Sequence, residues 1–223
     1  MSGVSDWSPL WISLRVTIVA TAFAALVGVA IAYALAKMRT RWASVIEAVI
    51  TVPIVLPPTV LGYYLLTLLG SRGPIGRAWE SAFGAPIVFT VTGATIAATV
   101  SALPFVVRTS RAAIRQVDPR LEEAARICGL SEPAVALRVT LRVASRGILA
   151  GVALGFARAL GDFGVTVMVA GNIPGRSQTL PVAVYDAVQA GDDGAARTGS
   201  LVLAAIALVV LMLLAQLQVR RAR

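Results

Sequence analysis

The run VTIVATAFAALVGVAIAYALA, from Val16 to Ala36, carries no charged side chain. As a helix rising about 1.5 Å per residue it spans about 30 Å, the thickness of a bilayer's hydrocarbon core. Four later stretches have comparable length and hydropathy. The predicted spans are 12–36, 48–70, 87–107, 147–171 and 198–219, in a single domain over 1–223. A membrane barrel would need shorter segments alternating apolar and polar residues. The expected fold is therefore all-α, a polytopic membrane helix bundle with five transmembrane helices.

The composition agrees. Of 223 residues 57% are hydrophobic and only 14% charged, with a mean hydropathy of +0.81. An ordinary soluble domain has about a quarter of its residues charged, so this chain has too little polar surface to coat its apolar content. There is no histidine, which removes Ser-His-Asp hydrolysis and histidine-ligated metal or haem. One cysteine, Cys128, leaves no intramolecular disulfide. The sole lysine, Lys37, follows Ala36 rather than glycine, so the chain has no phosphate-binding P-loop. No cofactor and no catalytic residue are expected, and the net charge of +9 is read as membrane orientation rather than nucleic-acid binding.

The basic residues are unevenly placed. Lys37, Arg39 and Arg41 follow the first span, eight arginines from Arg108 to Arg146 follow the third, and Arg220, Arg221 and Arg223 follow the fifth. The opposite side has Arg72, Arg77, Arg176 and Arg197. The positive-inside rule then puts the N-terminus outside and the C-terminus inside. Trp7 and Trp11 suit an outer aromatic belt, past which Arg15 snorkels. The start is acidic or neutral (Asp6) and the apolar run long, so the first span is expected to stay as an anchor rather than be cleaved.

Two places break the regular pattern. Pro53, Pro57 and Pro58 fall within six residues of the second span, with Pro57 expected near the midplane. They are either a packing kink or a pathway-lining or gating element, since broken helix at membrane depth is tolerated where protein or a wet cavity covers it. Arg158 and Asp162 lie four apart in the fourth span, on one helix face. They are either a structural ion pair or a positive lining that favours an anion.

The connection 108–146 is rich in helix signals. Leu121, Ala124, Ala125 and Cys128 make an apolar stripe on a short helix. Gly129 follows as a left-handed cap, and Ser131 is placed to cap a second short helix that begins Glu132-Pro133. The product is a knob on the inner face, with small residues that let a partner protein approach closely.

These residues resemble a known signature. Glu123-Ala124-Ala125, three residues, Gly129, then Val139 and Leu141 are similar to the EAA loop of bacterial ABC-importer permeases. Arg142 stands where that pattern has proline. The run from Val52 to Tyr63, the run from Phe156 to Gly164, and the segment from Gly171 to Tyr185 resemble the permease subunits of molybdate importers. The resemblance covers nearly the whole chain, and sulfate/thiosulfate permeases are related.

The resemblance implies a type I importer permease in a bacterial inner membrane. It would work as a homodimer, dock on a separate ATP-binding subunit and be fed by an extracytoplasmic oxyanion-binding protein. Coupling to the ATPase would fall to Glu123, Ala124, Ala125 and Gly129, with Leu121 and Cys128 as apolar support. Residues 173–190 would form a partly helical outer docking surface. The cargo implied is molybdate, with tungstate as a co-substrate and sulfate or thiosulfate as the alternative. An ion-coupled secondary transporter has only the Arg158–Asp162 pair in its favour. A membrane enzyme or scaffold has no catalytic constellation behind it.

Overall fold

The computed structural model describes residues 7–38 and 40–220; Asp6, Arg39, Arg221 and Arg223 of the charge argument lie outside them. The first predicted span is one helix, α1 (Ser8–Lys37), with Pro9 in the first turn, where its missing N–H is no loss. The second is split into α2 (Trp42–Val55) and α3 (Pro58–Leu69), whose axes meet at 111°. The three prolines do different work. Pro53 is carried inside α2, Pro57 turns the chain in extended geometry, and Pro58 opens α3. A short helix that the sequence reading did not anticipate, α4 (Pro74–Phe83), follows and closes on a left-handed Gly84.

Helix α5 (Val91–Arg115) begins at Thr90, whose hydroxyl accepts from the Gly93 amide at 3.2 Å. It passes Val107 by two further turns, so the first part of the predicted connection continues a membrane helix. Next come α6 (Pro119–Ile127), α7 (Glu132–Val135), a π-helical turn over Ala136–Thr140, and α8 (Leu141–Val143). No proline stands at Arg142, and helical backbone runs on to Ala144 before bending by 73° into α9 (Ser145–Leu160). The fourth predicted span is α9, a break at residues 161–163, and α10 (Gly164–Ala170). Helix α11 (Leu180–Gln189) and the long α12 (Asp193–Arg220) complete the chain. Among the described residues α1, α5 and α12 are individually long and apolar enough to cross a membrane, and two bent pairs raise the number to five if each is one span.

The centre is a seam of small side chains. Ala20 and Ala24 of α1 face Ala94, Ala98 and Ala102 of the parallel α5, all fully buried. Helix α9 runs antiparallel to α5 and offers Gly147, Gly151 and Gly155 at four-residue spacing. Lipid tails are as apolar as leucine, so helices in a bilayer gain little by hiding apolar surface and are held by close backbone contact. A Cβ on Gly147 would lie 2.3 Å from Cβ of Ala113, and one on Gly155 2.8 Å from Cγ2 of Val106. Gly147→Ala is expected to push α9 off α5 and lower stability by about 1–3 kcal/mol, the usual range for overpacking. Thermal inactivation of detergent-solubilised protein, followed by size exclusion, measures this; an unchanged midpoint refutes it.

A second contact joins the two broken elements. A Cβ on Gly62 of α3 would meet Cβ of Met168 at 2.6 Å, and one on Gly164 of α10 would meet Cβ of Pro58 at the same distance. Leu61, Val165 and Val169 fill in around them. Both helix breaks are thereby brought to one place. Helix α12 leans on α9 and α11 and presents exposed apolar side chains, Leu201, Leu208 and Met212 among them, as a lipid-facing helix does.

Candidate functional site

The two breaks line one cavity of about 590 Å³. Pro53, Leu56 and Pro58 form one wall, Arg158 and residues 161–164 the other, and Phe105 of α5 the back. The features expected separately, the proline cluster and the charged pair, therefore meet. Of the five pathway candidates Pro53, Pro58, Arg158 and Asp162 line the cavity, whereas Pro57 makes the turn that shapes it.

The pair forms as its spacing predicts, with Nη1 of Arg158 donating to Oδ1 of Asp162 at 2.9 Å. Its setting differs from a continuous helix face, because α9 ends at Leu160 and Asp162 lies in the break. There the chain aims the carboxylate inward. Its other oxygen accepts from Thr166 at 3.0 Å and from Ser101 at 3.4 Å, and Asp162 is 3% exposed. Arg158 keeps 27% of its side chain exposed and uses one guanidinium nitrogen on the pair. The anion is thus enclosed and hydrogen-bonded while the cation borders the cavity. Neither Ser101 nor Thr166 stands out in the sequence, since a lone hydroxyl in an apolar run carries no pattern.

The knob has the expected hinge. Gly129 sits at φ +84°, and the amides of Cys128, Gly129 and Leu130 return to carbonyls of α6. The apolar stripe is turned outward: Leu121, Ala124 and Cys128 are exposed and Ala125 is half-buried. Ile127 beside them is 82% exposed. Glu123 is exposed as well and has no partner among the described residues. Asp118, not anticipated, caps α6 by accepting from the Arg120 amide at 2.9 Å. Ser131 occupies the cap position of α7, yet its hydroxyl makes no cap bond. Glu132 instead takes a two-pronged bond from Arg126 at 2.6 and 3.1 Å.

Glu122 is the residue that the sequence reading passed over. It is buried, and both its oxygens receive Nζ of Lys37 at 2.5 Å. Thr140 adds a bond at 2.6 Å from the π-helical turn. One carboxylate thus ties the knob to the end of α1 and to the approach to α9. The available signal was the chain's only lysine placed at a helix end. Burial pushes the Glu122 carboxyl up, but the bonds from Lys37 and Thr140 and the charges of Lys37 and Arg126 outweigh it and hold it below its ordinary value. A lowered carboxyl contributes stability that is present above its unfolded value, about 4.3, and is lost as pH falls through the folded one. Acid-side loss of thermal stability is therefore expected to flatten in Glu122→Gln. Superimposable melting-against-pH curves would contradict it.

The segment expected on the opposite side is a folded element rather than a loose loop. Amides of Arg176, Ser177 and Gln178 converge on the Ile173 carbonyl, and Ser177 bonds the Ala170 carbonyl at 2.6 Å. Ser13 of α1 accepts from the Leu180 amide at 2.7 Å. Helix α11 then lays Tyr185 on Phe163 of the break, with ring centroids 4.8 Å apart.

The family described as the binding-protein-dependent transport system inner membrane component matches residues 18–222. The chain belongs to this family. As one of these inner membrane components it is a multi-pass inner-membrane protein of the translocating kind. It is 38% identical over 221 residues to the molybdenum transport system permease protein ModB of Escherichia coli K12, covering 97% of this chain and 96% of the relative. It is 32% identical over 191 residues to the sulfate transport system permease protein CysT of a Synechocystis strain, covering 86% and 66%. Its fold matches a chain of the inward-facing MetNI methionine ABC transporter with a TM-score of 0.78 over 100% of both chains at 17% identity. The type I importer permease fold expected from the EAA resemblance is thus the fold observed.

Proposed function

We propose that this inner membrane component is the permease subunit of an ATP-driven oxyanion importer whose cargo is molybdate, with tungstate accepted by the same route. The observation that carries the reading is near full-length identity to a relative named for molybdenum transport, together with a cavity at two helix breaks bordered by Arg158. A tetrahedral dianion is favoured by a cation held at a low-dielectric passage, and Asp162, buried and hydrogen-bonded at the cavity wall, fixes that cation in place. The permease works as two copies, with the ATPase on the Gly129 knob and an oxyanion-binding protein on residues 173–190. The exposed stripe of Leu121, Ala124 and Cys128 supports a protein partner, since nothing among the described residues covers it. The spans run with the N-terminus outside and the knob in the cytoplasm.

The test is uptake in a strain lacking its own molybdate permease, with the matching ATPase and binding protein supplied. ATP-dependent molybdate uptake, unaffected by excess sulfate and suppressed by tungstate, is the expected result. Uptake suppressed by sulfate and not by tungstate moves the assignment to the sulfate relatives. Uptake in vesicles lacking any ATPase overturns it in favour of ion coupling. An impermeant maleimide should reach Cys128 only from the cytoplasmic side; labelling from outside reverses the orientation.

A further inference from the structure

A groove of about 520 Å³ opens on the outer surface of the bundle between α1, α4 and α5. Along α1 it runs from Arg15 through Val19 and Phe23 to Val27, and along α5 from Val91 to Leu103. Each wall covers thirteen residues, a rise of about 18 Å of helix from first to last. One leaflet of the hydrocarbon core is about 15 Å deep, half of the whole. The groove stops where α1 and α5 close on each other at Gly28: a Cβ there would meet Cγ1 of Val106 at 3.0 Å and Cδ1 of Leu103 at 3.3 Å. It is thus one leaflet long, and it is blocked at mid-depth. A neighbouring transmembrane helix would need a trough along the full thickness.

The chemistry of the groove is graded. Its walls are apolar, and the hydroxyls of Thr95 and Thr99 are bonded to carbonyls one turn back, at 2.8 and 2.7 Å, which leaves no use for water there. The single charge on the lining is Arg15, at the open end beside Trp79. Arg15 is exposed and makes no ion pair among the described residues. An unpaired guanidinium at the head of a leaflet-deep apolar trough is complementary to a phosphodiester followed by an acyl chain. We infer that this groove is a binding site for one anionic phospholipid, with its phosphate on Arg15 and one acyl chain laid along Val19, Phe23 and Val27. Trp79 then stands at headgroup level, where tryptophan is favoured. The site is separate from the cavity at Arg158 and does not depend on what the permease carries.

Native mass spectrometry of the full-length chain, delipidated in detergent and exposed to phosphatidylglycerol or phosphatidylcholine of matched acyl chains, tests this. Phosphatidylglycerol should be retained about fivefold better than phosphatidylcholine, the factor that one basic residue gives near an anionic lipid. Arg15→Gln should bring retention down to the phosphatidylcholine level. Val27→Trp, which fills the deep end, should lower retention of both lipids. Equal retention of the two lipids by the wild-type chain overturns the inference, as does Arg15→Gln with undiminished preference. Displacement of phosphatidylglycerol by inorganic phosphate overturns it in favour of a bare anion site. A disulfide formed between two copies of Phe23→Cys in native membranes overturns it in favour of a second copy in the groove. Arg15 is exposed, so its replacement leaves the packed seam intact and the comparison informative.

Discussion

Gly129→Trp is expected to abolish oxyanion uptake while the chain still reaches the membrane at its normal level. Two effects act together. An L-residue forced to φ +84° costs about 1–2 kcal/mol of left-handed strain, which loosens the turn between α6 and α7. The larger effect lies outside the chain. Apart from Gly129 and its two chain neighbours, no atom of the described residues stands within 4 Å of the Cβ position at Gly129, so the indole enters open space beside the exposed stripe of Leu121, Ala124 and Cys128. If that face seats the ATPase, the indole occupies the partner's place. The measurement is molybdate taken up per ATP hydrolysed in membranes carrying the whole transporter. Gly129→Asn, which tolerates the left-handed region, should lose far less. Wild-type uptake by the tryptophan variant would remove the knob from the coupling path.

The second large effect is expected at the charged pair. Arg158→Ala leaves the Asp162 carboxylate buried with only Ser101 and Thr166 as donors. Breaking a buried pair from one side typically costs about 3–5 kcal/mol. Arg158 is 27% exposed, so the low end of that range applies here. Set against a total stability of about 5–15 kcal/mol, the loss should be plain in the yield of detergent-stable protein. Arg158→Ala combined with Asp162→Ala should restore much of that yield, because no unpaired charge is left behind. Transport should stay lost in the double variant, since the cavity no longer has its cation. A double variant that transports normally would reduce the pair to a structural fastening. A stable Arg158→Ala would show that the carboxylate is not held by it.

The long uncharged runs were legible because membrane crossing is a local property, written into twenty or so consecutive residues. The end of α1 and most of α12 follow from it, although both helices begin before the apolar run does, at Ser8 and Asp193 rather than at 12 and 198. The proline cluster signalled a break, and Gly129 signalled its left-handed cap, for the same reason: backbone restrictions act where the residue stands. Glu122 escaped notice because its burial depends on Lys37, 85 positions away, and on a π-helical turn that aims Thr140 inward. The outward face of Leu121, Ala124 and Cys128 is legible as apolar, but only the fold shows that the described residues leave it uncovered. The meeting of Pro58 with Arg158 across one cavity is likewise a product of packing, made by Gly62 and Gly164 letting α3 and α10 touch. The helix α4 is too short and too mixed in character to register as a span.

The seam between α1, α5 and α9 has a thermodynamic consequence. Alanine and glycine have no rotamers to lose, whereas a leucine or methionine gives up about 0.5–2 kcal/mol of side-chain freedom when immobilised. In a solvent of hydrocarbon tails, where hiding apolar surface gains little, dispersion between closely set backbones is spent against almost no ordering entropy. The column from Ala94 to Ala102 and its facing Ala20 and Ala24 therefore hold the frame together cheaply. Sequence drift should be strongly asymmetric in consequence: enlargement is resisted along this column, while the lipid-facing side of α12 exchanges one aliphatic residue for another freely.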